Sequence, residues 1–136
     1  MDTLPALATV LVVQHNHKLN DAYCRLLEGA GYRVNGVYNG REALDHIRAV
    51  GDPAVIILGM HMPVMDGLAF LRAYQPLEHP RTAVVVFSKT GTRTEVEEAY
   101  ALGVTRYVLT ARATSAMLVR LVAAALAILR GSSRAR

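Results

Sequence analysis

Val55-Ile56-Ile57-Leu58-Gly59-Met60-His61-Met62-Pro63-Val64-Met65-Asp66-Gly67 decides the fold. Its first four residues are uninterrupted, apolar and mostly β-branched, the pattern of a strand buried on both faces. Pro63 and Gly67 then punctuate a loop, and the residues from Gly67 onward open a helix. Strand, loop and helix meet at Gly59.

Toward the N-terminus the same alternation repeats. Thr9-Val10-Leu11-Val12-Val13 is a second apolar run, ended by the polar group Gln14-His15-Asn16-His17. Leu19, Tyr23, Leu26, Leu27 and Ala30 recur at helical spacing, and Gly31 stops that helix. Tyr32 to Val37 is a weaker alternating segment broken by Gly36, which suits an edge strand. Asn39-Gly40 turns the chain into a helix over Arg41 to Val50, with Ala43, Leu44, Ile47 and Val50 on one face, and Gly51-Asp52-Pro53 ends it.

Toward the C-terminus, a helix over Gly67 to Tyr74 is stopped by Gln75-Pro76. Ala83 to Phe87 is the fourth strand. Ser88-Lys89-Thr90-Gly91-Thr92 leads into a helix near Thr94 to Leu102, whose Glu95, Glu97 and Glu98 sit toward the positive end of its dipole. Thr105 to Leu109 is the fifth strand, and Thr114 is the expected N-cap of a last helix running to about Arg130. Five strands alternating with five helices predict an α/β fold: a flavodoxin-like, doubly wound (βα)5 with a parallel five-stranded sheet of order 2-1-3-4-5. Such a fold has a crevice at the carboxyl ends of the first and third strands, where Gln14, His15 and Gly59 are expected to meet.

At 136 residues the chain is the size of one domain, predicted over 1–136 with a core from about 8 to 129 and a flexible basic tail over 131–136. Hydrophobic residues at 52% and charged residues at 19% exclude a disordered or low-complexity chain. Cys24 has no partner for an internal disulfide and the start lacks a signal-peptide pattern, so a cytoplasmic location is expected. The longest uncharged apolar run, Leu121 to Leu129, falls far short of the ~20 residues that span a bilayer. The net charge is +4, but the basic residues are scattered, with only Arg130, Arg134 and Arg136 grouped. Without a basic stripe and interleaved aromatics, nucleic acid is not an expected partner.

The chain resembles the receiver domain of response regulators in two-component signalling, over roughly Thr9 to Leu126. The resemblance rests on Leu11-Val12-Val13, Gly31-Tyr32-Arg33-Val34, Asn39-Gly40-Arg41-Glu42-Ala43-Leu44, Met62 to Gly67, Ser88, and Leu102-Gly103 before Tyr107. It implies a phosphate-accepting aspartate at position 59, where this chain has Gly59. It implies an acidic pair for magnesium at Gln14 and His15, and a lysine at Thr110, which Ala111 follows where a proline is usual. Only Ser88, the hydroxyl that follows the phosphoryl group, and Tyr107, the switch aromatic, keep their types. A hard divalent cation needs anionic oxygens, so neither magnesium nor any other cofactor is expected in what reads as a near-neutral crevice. The pattern is that of a pseudo-receiver.

Other chemistry has less support. His15, His17 and His61 flank the crevice and could serve a metal or a proton sensor, but no Cys or carboxylate stands at ligand spacing, so no metal is expected. Ser88 and Thr90 lack a visible activating base, and Asp66 reads as a helix cap. With neither a Gly-rich phosphate loop nor an acid–base pair, the chain is not expected to be an enzyme.

From Met117 to Leu129 the only charge is Arg120, and the apolar residues spread over about 200° at 100° per residue, wider than one sheet contact needs. The excess predicts an interface through Met117, Leu118, Leu121, Val122 and Leu126, with Arg106, Arg120, Glu97 and Glu98 at its rim. The resemblance implies the same place, since receivers use the surface of their fourth helix, fifth strand and last helix for contacts. The expected function is that of a stand-alone atypical receiver, a homodimer acting on protein partners of a signalling pathway, without phosphorylation, in signal transduction or transcription control. The alternative is a small-ligand or pH sensor using the crevice through Gln14, His15, Ser88 and Thr110.

Overall fold

The apolar runs become five parallel strands of one sheet in a computed structural model, which describes residues 8–134. They are β1 (Thr9–Val13), β2 (Arg33–Val37), β3 (Val55–Leu58), β4 (Ala83–Ser88) and β5 (Arg106–Leu109), ordered β2-β1-β3-β4-β5 as the alternation predicts. Val13 pairs with Leu58 and Leu58 with Val86, so Gln14, Gly59 and Phe87 follow at one edge of the sheet. The strand weakened by Gly36 is indeed an edge strand.

Successive side chains of the central strands enter opposite cores, as the pleat requires. Leu11, Val13, Ile56, Leu58, Val84 and Val86 face α2 (Gly40–Val50), α3 (Gly67–Tyr74) and α4 (Arg93–Ala101). Val10, Val12, Val55, Ile57, Val85 and Phe87 face α1 (His17–Gly29) and α5 (Ser115–Arg134). Because each face is covered, the four residues of β3 are all buried, matching their unbroken apolar run.

Side chains fix where the helices start. Asn16, Asn39 and Asp66 each accept a backbone N–H three residues on, from Leu19, Glu42 and Ala69. Thr92 and Glu95 exchange hydrogen bonds in a capping box that starts α4, and Thr114 accepts the Met117 N–H at the start of α5. Asn20, 2% exposed, donates from Nδ2 to the carbonyls of Gln14 (3.0 Å) and Val37 (2.8 Å), tying α1 to the ends of β1 and β2. At the opposite end of the sheet the Tyr74 hydroxyl donates to Asp52 Oδ1 (2.9 Å), while His79 Nδ1 lies 2.7 Å from Asp52 Oδ2 with its ring stacked on Tyr74.

The loop between β3 and α3 holds a tight turn. The Met65 N–H donates to the Pro63 carbonyl (2.7 Å) around Val64, whose φ of 67° a β-branched residue adopts only under strain. The Met65 carbonyl in turn accepts the Gly40 N–H (2.9 Å), and a Cβ on Gly40 would stand 2.8 Å from Met65 Cγ and 3.0 Å from Phe70 Cβ.

The last helix differs from expectation in two ways. It continues through Gly131 to Arg134, so 131–134 is helix rather than tail, and 135–136 lie outside the described residues. Leu118, Val122 and Leu126, expected at an interface, are core residues. The cause is the sheet itself: Val55, Ile57, Val85 and Phe87 need cover, and the 118/122/125/126 stripe of α5 supplies it. Met117 and Leu121 are half-buried and Ile128 is 52% exposed, so the apolar surplus is narrower and lies to one side of that stripe.

Among the described residues no helix is long and apolar enough to cross a membrane. Leu118→Ala should lower the unfolding free energy by about 2–5 kcal/mol in urea titration with the slope unchanged. Ile128→Ala should stay within about 0.5 kcal/mol of the parent.

Candidate functional site

Where β1, β3 and β4 end, a cavity of about 230 Å³ opens between the loops. Gln14, the first residue after β1, is held at three points. Its N–H donates to the Val37 carbonyl (3.1 Å), its carbonyl accepts from Asn20, and its side-chain Oε1 accepts the Asn16 N–H (3.0 Å). The last of these bonds fixes which end of the amide is oxygen, leaving Nε2 toward the crevice. A Cβ on Gly59 would stand 3.4 Å from that Nε2 and 3.3 Å from the Val13 carbonyl. The amide nitrogen therefore overhangs the space a side chain at position 59 would enter.

Gly59 is not required by the backbone. It does not adopt a positive φ, and the nearest contacts of an added Cβ are close but not prohibitive. Its chemical effect is the absence of any side chain where β3 ends at the cavity.

The cavity brings Gln14, His15, Gly59, Ser88 and Thr110 together. Ser88 is buried at the end of β4, and Thr110 opens a short 3-10 turn after β5. Three features went unrecognised in the sequence: Lys89 at the rim, Asn20 behind Gln14, and an apolar wall that includes Leu19, Met60 and the edge-to-face pair Tyr23 and Phe87. Lys89 follows Ser88 directly, which was signal enough to place it. With it, the cavity lining has one ammonium and no carboxylate, so the crevice is positive rather than neutral.

Magnesium does not fit these residues. A hard dication seeks anionic oxygens, and this site presents an amide nitrogen, imidazoles and an ammonium. The histidines also diverge: His17 stacks on Tyr38 at 4.0 Å, and His61 Nε2 approaches Glu95 Oε2 at 3.7 Å. Among the described residues no three His, Cys, Asp or Glu side chains converge as a metal set.

Tyr107 lies beneath the loop from β4 to α4, donating its hydroxyl to the Thr90 carbonyl (3.0 Å). Burial raises its pKa, the charge of Glu95 adds to this, and a hydrogen bond with Ser88 works the other way. The loop can close over the ring because residue 91 is glycine: a Cβ there would stand 2.5 Å from the Tyr107 oxygen. The Tyr107 N–H donates to the Tyr100 hydroxyl (3.0 Å), tying β5 to α4.

Of the rim residues expected on the outer face, Arg106 and Arg120 are exposed. Glu97 and Glu98 are engaged within the chain, by Arg93 Nε (3.0 Å) and Arg72 Nε (3.0 Å). The short spacing of 93 and 97 along α4 explains the first pair, and the packing of α3 against α4 the second. Large apolar side chains left exposed include Tyr100 on α4, Leu109 on β5 and Ile128 on α5.

The family model described as response regulator receiver domain matches residues 10–122. A protein-glutamate methylesterase/protein-glutamine glutaminase of Anaeromyxobacter dehalogenans is 35% identical over 105 residues, which are 73% of this chain and 28% of that protein. The chain thus spans little more than a quarter of that relative. The chemotaxis response regulator CheY4 of Vibrio cholerae superposes with a TM-score of 0.78 at 25% identity, covering 89% of this chain and all of that one. A CheY-like receiver domain protein of Methanospirillum hungatei reaches a TM-score of 0.86 at 16% identity over 93% of this chain and 99% of its own, a likeness of fold.

Gly91→Ala should displace the Tyr107 ring, seen as a shift of its aromatic carbon resonances in a domain that remains folded; unchanged resonances would contradict the packing described. Burial first, then the charges of Glu28 and Asp21, push the Cys24 thiol up to about 11. The thiolate fraction at pH 8 is then about 0.1%. Ellman's reagent should react far more slowly than with free cysteine, the rate rising about tenfold per pH unit between 8 and 10.

Proposed function

The chain belongs to the response regulator receiver domain family, and on that premise we propose that it signals through protein–protein contact without accepting a phosphoryl group. The observation that carries this reading is Gly59 beneath the Gln14 amide: the acceptor position has no nucleophile, and a hydrogen-bond donor overhangs it. The lost acidic pair and the positive lining support it, because phosphoryl transfer in this family needs a cation that these residues do not hold. Tyr107, already packed beneath the loop at Gly91, supports it too, since the aromatic is placed by packing rather than by an anion at position 59.

The contact surface fits the outer side of α4, β5 and α5. Tyr100, Leu109 and Ile128 provide exposed apolar area, half-buried Leu121 adds its outer edge, and Arg106 and Arg120 provide charge. A second copy of the chain is the proposed partner there, with other proteins of a signalling pathway sharing the surface. Rim charges of this kind set orientation and association rate more than affinity. The methylesterase and glutaminase activities of the curated relative are that protein's own, and this chain is read as a signalling module without enzymatic chemistry.

Amide resonances should not change when beryllofluoride and magnesium are added; a saturable shift centred on residues 14, 59 and 88 would overturn the phosphorylation-independent reading. Ile128→Glu should move the sedimentation coefficient toward the monomer while the far-ultraviolet spectrum stays native. Leu118→Glu should unfold the domain instead, because that side chain is fully buried.

A further inference from the structure

The lining of the cavity at the sheet edge includes two unlike sets of groups. One set supplies hydrogen-bond donors, Gln14 Nε2, the Lys89 ammonium and the Thr110 hydroxyl, while the Ser88 hydroxyl is engaged with Tyr107. Lys89 is exposed and stands at the mouth. Gln14 Nε2 is aimed inward by the bond from Asn16 N–H to its Oε1, and among the described residues it meets no acceptor. Another set is apolar and partly aromatic, with Phe87 held edge-to-face against Tyr23 at 5.5 Å between ring centroids.

A site with surplus donors, one positive charge and no carboxylate is complementary to a single negative charge carried by oxygen. An aromatic wall beside it is complementary to a flat apolar body. From these two sets of lining groups we infer that the crevice is a binding site for a small aromatic carboxylate, its two oxygens taken by Lys89 and Gln14 Nε2 with the Thr110 hydroxyl beside them, and its ring against the apolar groups. The volume of about 230 Å³ lies below that of pockets for drug-sized ligands, so one ring rather than two is accommodated. A phosphate suits the site less well. It brings nearly two charges to one ammonium and leaves the apolar wall without a partner. The inference is independent of how the chain signals, since it concerns the lining of the crevice and not the surface of α4, β5 and α5.

The test is titration of the isotope-labelled full chain with benzoate, with benzamide and inorganic phosphate as separate arms. Benzoate should give saturable shifts at Gln14, Gly59, Ser88 and Lys89. Benzamide and phosphate should each bind about tenfold more weakly or less, the weight of one hydrogen bond to a charged group. Gly59→Asp places a carboxylate beside Gln14 Nε2 and should abolish the benzoate shifts. Lys89→Gln, an exposed change that leaves the fold alone, should weaken benzoate about tenfold with benzamide unaffected. The proposal is overturned if benzoate gives no saturable shift, if benzamide or phosphate binds as tightly as benzoate, or if both variants bind benzoate like the parent.

Discussion

A parallel sheet must be covered on both faces, because its central strands present apolar side chains to each. Here that constraint assigns most of the chain. β1, β3 and β4 bury nearly every side chain, three helices take one face, and α1 and α5 take the other. With only two helices to seal the second face, α5 commits Leu118, Val122, Ala125 and Leu126 to the core. Polar groups are left at the two ends of the strands, and the cavity lies at the end where β1, β3 and β4 stop.

The fold was legible because each level of the sequence agreed with the next. Unbroken β-branched runs marked the central strands, Gly36 marked an edge strand, and Asp66 and Thr114 marked helix starts that the hydrogen bonds display. The crevice was legible in part. Gln14, His15, Gly59, Ser88 and Thr110 converge because each follows a strand end, a position that strand order alone fixes. The apolar wall was hidden because Tyr23 and Phe87 are distant in sequence and each reads as ordinary core. The width of the apolar arc on the last helix was misleading for a similar reason. Periodicity gives an arc, but how much of it the core uses depends on the area of sheet beneath, which no single helix encodes.

What distinguishes this site from a point lesion is that its charge balance is coherent. Removing only an acceptor from a site that keeps its acids would leave negative groups crowded together, each raising the cost of ionising the others. On the proposed reading Gln14 and His15 stand in place of that acidic pair, and Gln14 is held by local hydrogen bonds. Gln14 is tied by three bonds into the ends of β1, β2 and the start of α1, two through its backbone and one through Oε1, which leaves the amide nitrogen as a donor toward the cavity. With Lys89 and no carboxylate among its described lining residues, the crevice is a polar site of positive sign.

The turn at Val64 concerns the cooperativity of the molecule. Strain of this kind is of order 1–3 kcal/mol and persists only where surrounding contacts over-determine it. Those contacts come from α2, whose Gly40 donates to the Met65 carbonyl and fits against Met65 and Phe70 with no room for a methyl group. The loop cannot relax while the first turn of α2 stays docked, and that turn cannot leave without giving up the same bond. The two segments therefore share one bond, so that opening either one exposes the Gly40 amide and the Met65 carbonyl together, and a strained loop borrows the lifetime of the helix that holds it.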